Sequence, residues 1–286
     1  MRVDEDYLRE MELWSVFELR GKILSATDSP VRVPSPQMEN APPAVMKSVT
    51  SLAPAPAPKP AARPTMGAKA APQPVQEMHV TQTTLIDPAR AARIATLDFA
   101  GIASEAAACS ACGLCKQRKQ VVVGVGAHDA PWLLVGEGPG ADEDQQGEPF
   151  VGQAGKLLDA MLQAAGLVRG REVYVANVVK CRPPGNRTPT LEEANACAPF
   201  LDRQIDLIKP KLIIALGKTA VTRLTGSDAS MASLRGQALQ YRGIPVVATY
   251  HPAYLLRNLP EKLKAWEDLI FAKHKMALQA VVMADS

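Results

Sequence analysis

The sequence has no apolar run near the roughly 20 residues that a membrane-spanning helix needs, so no membrane partner is expected. It has little net charge: 32 Lys and Arg against 29 Asp and Glu leave +3 over 286 residues. No global basic field announces nucleic acid, and any such surface must be a local patch. The start, Met1-Arg2-Val3-Asp4-Glu5-Asp6, lacks the basic-then-apolar layout of a secretion leader, so the expected compartment is the cytoplasm. Cysteine is scarce, with five in all. In a reducing compartment such a set argues against a disulfide framework and towards metal or cluster ligation.

What is present divides the chain in three. Half of its 24 prolines fall between Pro30 and Pro74, and Ala53-Pro54-Ala55-Pro56-Ala57-Pro58 is the densest stretch. Such a segment buries too little to offset its ordering entropy. Residues 26–95 therefore read as a Pro/Ala-rich disordered linker, with the folded part starting near Leu97. Before the linker, Tyr7, Met11, Trp14 and Phe17 recur at helical spacing, which predicts a short amphipathic helix within residues 1–25. Residues 96–286 are the expected folded domain.

Within that domain, Trp132–Val135, Val173–Val179, Leu212–Leu216 and Ile244–Ala248 are short Val/Ile/Leu-rich runs that read as buried parallel strands. Helical patterns lie between them. One spans Lys156 to Ala165 and stops at Gly166; another carries Leu191, Ala194, Ala198, Leu201, Ile205 and Ile208 on one stripe. Thr190 with Glu193 predicts a capping box for the second. The alternation predicts a three-layer α/β/α sandwich on a short, mainly parallel four-stranded sheet.

Directly after the first strand comes Gly136-Glu137-Gly138-Pro139-Gly140-Ala141-Asp142-Glu143-Asp144, then Pro149-Phe150-Val151-Gly152. Open α/β sheets bind ligands at such strand-end turns, but this one carries carboxylates and a Phe where a P-loop carries lysine. Gly217-Lys218-Thr219 lacks the upstream glycine spacing of a P-loop and is set aside. The last strand runs into His251-Pro252-Ala253-Tyr254-Leu255-Leu256-Arg257. Cys109 and Cys112 form a C-x2-C pair, Cys181 and Cys197 are the second pair, and Cys115 is left over. Four thiolates suit zinc or a [4Fe–4S] cluster equally well.

With these residues in hand, the chain resembles the family 4, iron–sulfur branch of the uracil-DNA glycosylase superfamily over about residues 105–273. The motifs that carry the resemblance are Gly136–Gly140, Pro149–Gly152, Asn177 before Lys180-Cys181-Arg182-Pro183-Pro184, and His251–Arg257. The resemblance implies a DNA repair enzyme acting in base excision and associated with the nucleoid. It also implies that Cys109, Cys112, Cys181 and Cys197 ligate a [4Fe–4S] cluster.

The implied reaction breaks an N-glycosidic bond after the base has been flipped from the stack. Phe150 is the expected stacking platform. Asn177 is the expected reader of O4 and N3–H of uracil, and His251 the donor to O2 of the departing base. Glu137 and the backbone at Gly138 are expected to hold the water and the sugar side. The best-known branch of the superfamily has Asp where Gly138 stands, which leaves the general base without an assignment. Glu143 is expected to crowd the C5 edge and exclude thymine. Lys180, Arg182, Arg187 and Arg257, with Lys116, Arg118 and Lys119, are the candidate phosphate contacts. Tyr254, Leu255 and Leu256 form a candidate apolar wedge with at least one leucine in the core. Gln82-Thr83-Thr84-Leu85-Ile86 resembles the short peptides that bind the sliding clamp.

The expected enzyme is a monomeric, monofunctional uracil-DNA glycosylase that leaves an abasic site in single- or double-stranded DNA containing uracil. Two alternatives are a relative that forms a covalent adduct with DNA and a non-enzymatic iron–sulfur DNA-binding scaffold. The first would need a basic insert with its own histidine, absent between Val221 and His251. The second is disfavoured by the presence of both Asn177 and His251.

Overall fold

The computed structural model describes residues 87–284, with side-chain surroundings through residue 279. The expected N-terminal helix, most of the expected linker and the segment Gln82–Ile86 lie outside the described residues. Four parallel strands form the centre of the sheet: β2 (Trp132–Gly136), β3 (Val173–Asn177), β4 (Leu212–Leu216) and β6 (Ile244–Thr249). They coincide with the four apolar runs. Two short strands flank them, β1 (Val125–Gly126) antiparallel to β3 and β5 (Leu239–Tyr241) antiparallel to β6. The order is β1-β3-β2-β4-β6-β5, so the sheet has six strands where the sequence predicted four. The extra strands are two and three residues long, too short to show a period. β5 and β6 are joined by the two-residue turn Arg242-Gly243, both at positive φ, as tight hairpins require.

Side chains alternate between the two faces of this sheet. Leu133, Val135, Ala176, Ile213, Ala215, Val246 and Ala248 enter one cluster of buried residues. Trp132, Leu134, Val175, Ile214, Leu216 and Val247 enter the other. Helices Pro88–Ile94, Phe99–Ala108, Leu191–Ile208 and Lys218–Thr225 contribute to the first layer. Helices Gln153–Ala164, Pro252–Leu255 and Lys262–Ala284 contribute to the second. This is the α/β/α sandwich.

The predicted caps appear where they should. Glu193 N–H donates to Thr190 Oγ1 at 3.2 Å and Thr190 N–H to Glu193 Oε2 at 2.8 Å. Leu191 is the exception to its stripe: as the first residue of the helix it is 72% exposed. The folded part also starts earlier than the predicted boundary at 96. Asp87 caps helix Pro88–Ile94 through Oδ1, Ile94 is fully buried, and Arg90 donates to the carbonyl of Ala196 at 2.7 Å. Asp-Pro is itself a helix-start signal, but it stands at the end of a proline-rich stretch that masks it.

Candidate active site

The carboxyl ends of β2, β3, β4 and β6 share one edge of the sheet, and the loops that leave them line a cleft of about 800 Å³. Glu137, Gly138, Glu143, Phe150, Asn177, His251, Tyr254 and Arg257 all line it. The structure therefore brings together residues that are up to 120 positions apart in sequence, Glu137 and Arg257.

Gly136 ends β2 directly opposite Asn177 at the end of β3. A Cβ on Gly136 would lie 2.4 Å from Asn177 Oδ1 and 2.7 Å from Phe150 Cζ, so only glycine lets both side chains close over this point. Asn177 is buried, and its Oδ1 has no hydrogen-bond partner among the described residues. A buried, unpaired amide oxygen costs about 1–3 kcal/mol. Phe150 is 6% exposed, and its ring lies 5.4 Å from that of His251 at 28°.

His251 caps the helix Pro252–Leu255. Its Nδ1 accepts the N–H of Ala253 at 3.2 Å, so the ring proton of the neutral imidazole sits on Nε2. Burial, reinforced by the Arg257 charge and opposed by Glu143, pulls its pKa down to about 4. The imidazole is therefore neutral at physiological pH and a donor through Nε2–H.

The acidic run divides into distinct roles. Glu143 accepts from Gly140 N at 3.0 Å through Oε2, and from Val151 N and Gly152 N at 3.0 and 3.1 Å through Oε1. It ties the glycine-rich loop to the Phe150 loop and forms a fixed wall of the cleft. Asp144 is buried and accepts the N–H of Lys119 at 2.9 Å, whereas Asp142 is exposed. Glu137 Oε2 accepts a hydrogen bond from Thr219 Oγ1. Gly138 leaves no room for a side chain beside Val179.

Several expected DNA contacts point elsewhere. Lys180 is 1% exposed, and its Nζ donates to the Asn177 carbonyl at 2.8 Å and to Gln204 Oε1 at 2.6 Å. It is an internal strut beneath Asn177, not a phosphate contact. Burial lowers its pKa to about 8, against the charges nearby. Arg118 turns onto Cys181 Sγ at 3.1 Å and onto the Ala107 carbonyl. Arg187 forms a two-point pair with Glu193 at 2.8 and 2.7 Å, and Arg182 Nε bonds Asn186 Oδ1 at 2.7 Å. Arg257 is exposed at the rim. Leu255 is fully buried and belongs to the core, while Tyr254 and Leu256 are exposed. Tyr254 stacks on Tyr250 at 5.2 Å.

Sequence reasoning missed the segment Gly217-Lys218-Thr219, which lines or supports the cleft at the end of β4. Its position after a buried strand was the available signal. Tyr250 had none beyond its place next to His251.

Cys109, Cys112, Cys115, Cys181 and Cys197 line a second, smaller pocket. Among the described residues no three His, Cys, Asp or Glu group as the ligands of a single ion. The sulfurs nonetheless sit in a donor-rich setting. Arg90 Nη2 donates to Cys109 Sγ at 3.3 Å, and Arg118 Nη1 to Cys181 Sγ. The Lys180 N–H donates to Cys197 Sγ at 3.3 Å, and the Leu114 backbone N–H bonds Cys112. Burial pushes the Cys112 and Cys181 thiols up and Cys197 to about 12. Four thiols that each receive an N–H, Cys181 and Cys197 buried and Cys109 and Cys112 half-buried, are arranged as acceptors, which suits thiolates whose charge a bound cationic centre offsets.

Residues 123–270 match the family described as the uracil DNA glycosylase superfamily. The chain is 48% identical over 160 residues to the type-4 uracil-DNA glycosylase of Thermotoga maritima, covering 54% of this chain and 83% of that protein. It is 47% identical over 151 residues to the type-4 uracil-DNA glycosylase of Pyrobaculum aerophilum, covering 50% and 76%. A third, from Sulfurisphaera tokodaii, is 44% identical over 150 residues, covering 49% and 68%. With the glycine-rich loop, the buried asparagine and the strand-end histidine on one cleft, the chain belongs to the uracil DNA glycosylase superfamily and, within it, to the type-4 branch.

Proposed function

We propose that the chain removes uracil from DNA by hydrolysing its N-glycosidic bond, leaves an abasic site and does not cut the strand. The observation that carries the reading is the Asn177 amide, buried in the cleft with Oδ1 unpaired among the described residues, beside Phe150 and on the same cleft as His251. Uracil presents an N–H donor at N3 beside an acceptor at O4, the complement of one amide. Cytosine presents the reverse and would leave buried groups unpaired, a discrimination that can exceed about 10⁴. Phe150 takes the face of the flipped base, and Glu143, held by three backbone N–H groups, walls its edge.

As the C1′–N1 bond breaks, its electron pair stays on the base and spreads to O2 and O4. The His251 Nε2–H bond to O2 strengthens with that charge, so it stabilises the transition state more than the ground state. Glu137, oriented by Thr219, faces the cationic sugar and the water that adds to C1′. The water's proton balances the charge on the departing anion. The Lys218 amine is held by the carbonyls of Ser227 and Ala229, which supports a reaction without a lysine nucleophile. The stretch from Val221 to His251 contains no other histidine, which disfavours the adduct-forming alternative.

Cys109, Cys112, Cys181 and Cys197 are proposed as the ligands of a [4Fe–4S] cluster. Bound there, it would act as a structural cross-link between the end of helix Phe99–Ala108, the loop after β3 and helix Leu191–Ile208. DNA containing uracil is the proposed partner, with Arg257, Tyr254 and Leu256 at the cleft rim as contacts. A monomeric state, a cytoplasmic and nucleoid location and clamp docking through Gln82–Ile86 complete the reading. Among the described residues no helix is long and apolar enough to cross a membrane.

The test is the base released. Free uracil should be recovered from DNA carrying uracil opposite guanine and from its single strand, with no cytosine or thymine released from matched controls. Release of all three bases would refute the assignment of Asn177 as the reader.

A further inference from the structure

Phe150 is one of four non-glycine described residues with positive φ, at 56°. A bulky side chain in this left-handed region costs about 1–3 kcal/mol and persists only where its surroundings over-determine it. Two features hold it. Gly155, in helix Gln153–Ala164, lies so close that a Cβ there would come within 1.8 Å of the Phe150 carbonyl oxygen. The peptide of Phe150 thus rests on bare helix backbone.

The second feature is Arg169. Its Nη1 donates to the Pro149 carbonyl at 3.0 Å and its Nη2 to the Phe150 carbonyl at 3.2 Å. The same Nη2 lies 2.8 Å from Asp159 Oδ1 on the supporting helix. The backbone of Arg169 is itself anchored by a bridge to Val173 at the start of β3, and Gly170 N–H donates to the Val173 carbonyl at 3.2 Å. Arg169 Nε has no partner among the described residues. Asp159 is 53% exposed, so its pairing contributes little by itself. The fork of donors is spent mainly on two consecutive carbonyls that the left-handed turn presents. Arg169 is not among the residues lining the cleft.

We propose that Arg169 is a positioning residue for base selection: its guanidinium holds the Pro149–Phe150 carbonyls, and through them the angle at which the Phe150 ring meets the flipped base. It sets uracil affinity without touching uracil. The inference rests on the proposed reading of Phe150 as the platform.

The experiment is a double-mutant cycle read in two ways, by inhibition of the full-length protein with free uracil and by thermal midpoint. Arg169→Met keeps an apolar stem and removes the donors. It should weaken uracil binding about ten-fold, a share of what base stacking on an aromatic contributes. In a Phe150→Ala background the same substitution should change uracil binding less than two-fold, as the ring it positions is gone, while its effect on the thermal midpoint persists. If Arg169→Met does not fold, Arg169→Lys carries the same cycle with about a three-fold expected loss, since a single ammonium nitrogen replaces the two-nitrogen fork. Equal losses of affinity in both backgrounds, or a lower midpoint with unchanged uracil affinity, would overturn the assignment to Arg169 alone. No inhibition of the unmodified protein by uracil would overturn the platform reading, and this inference with it.

Discussion

On the proposed reading, His251 acts as a neutral donor rather than as an acid. Its Nδ1 is committed to the Ala253 N–H and its pKa lies at about 4, so protonation state and tautomer are both set before substrate arrives. Removing such a donor from a site where charge develops costs about 10²–10³ in rate. His251→Ala should therefore lower kcat by that factor with a smaller effect on KM, read by single-turnover excision. A loss confined to KM would contradict the role. The same group gives a stability signature. Its folded pKa lies below the ordinary 6.5, so its contribution is fully present above pH 6.5 and is lost as pH falls towards about 4, at most about 3 kcal/mol. His251→Asn should lose less stability than the parent between pH 7 and 4 in thermal melts; parallel curves would argue against the shift. Glu137, Asn177 and His251 could be placed at strand ends from the apolar runs that precede them, and Phe150 in the loop beyond the glycine-rich turn; the structure brings all four to one cleft. Lys180 was misread because composition gives a side chain's charge but not its direction, whereas Leu255 is the leucine of the expected wedge that goes to the core. Lys180 turns back under the carbonyl three residues before it, and Leu255 faces inward on a short helix whose Tyr254 and Leu256 face out.

At the level of elements, the pairing of β2 with β3 sets the site. The register puts Gly136 against Asn177 and leaves a gap that both Asn177 and Phe150 fill. Gly136→Ala should cut uracil affinity by about ten-fold or more while the fold survives, because the added methyl meets two side chains at the cleft rather than the core. Uracil inhibition together with circular dichroism checks this; unchanged affinity would mean that Asn177 and Phe150 can move apart at no cost. The four parallel strands were visible as apolar runs, and the Thr190–Glu193 box and the Gly166 stop were visible as helix punctuation. The edge strands were not, since each is too short for a period. The helix Pro88–Ile94 was hidden by its proline-rich neighbourhood although Asp87-Pro88 marks its start.

For the whole molecule, the cysteine pocket and the cleft are joined by one short stretch of chain, Asn177 to Cys181, with Lys180 bracing it from inside. On the proposed reading, a cluster bound at Cys181 would steady Asn177 four residues away. Cys197→Ser should lose visible absorption and most of about four iron per chain, and lower stability by roughly the 2–5 kcal/mol typical of removing a covalent constraint. Cys115→Ser should keep both the absorption and the iron, and the reverse pattern would reassign the ligand set. Cys109 and Cys112 announced themselves by spacing, whereas Cys181 and Cys197 were joined to them by the family resemblance; the fold places all four around one pocket. The most direct measurement is excision on an end-labelled oligonucleotide with a single uracil, single-stranded and opposite guanine. Alkali-labile breaks at uracil, none without alkali and none at cytosine or thymine, are the predicted result. A denaturant-stable protein–DNA species, or binding with no abasic site formed, would contradict it.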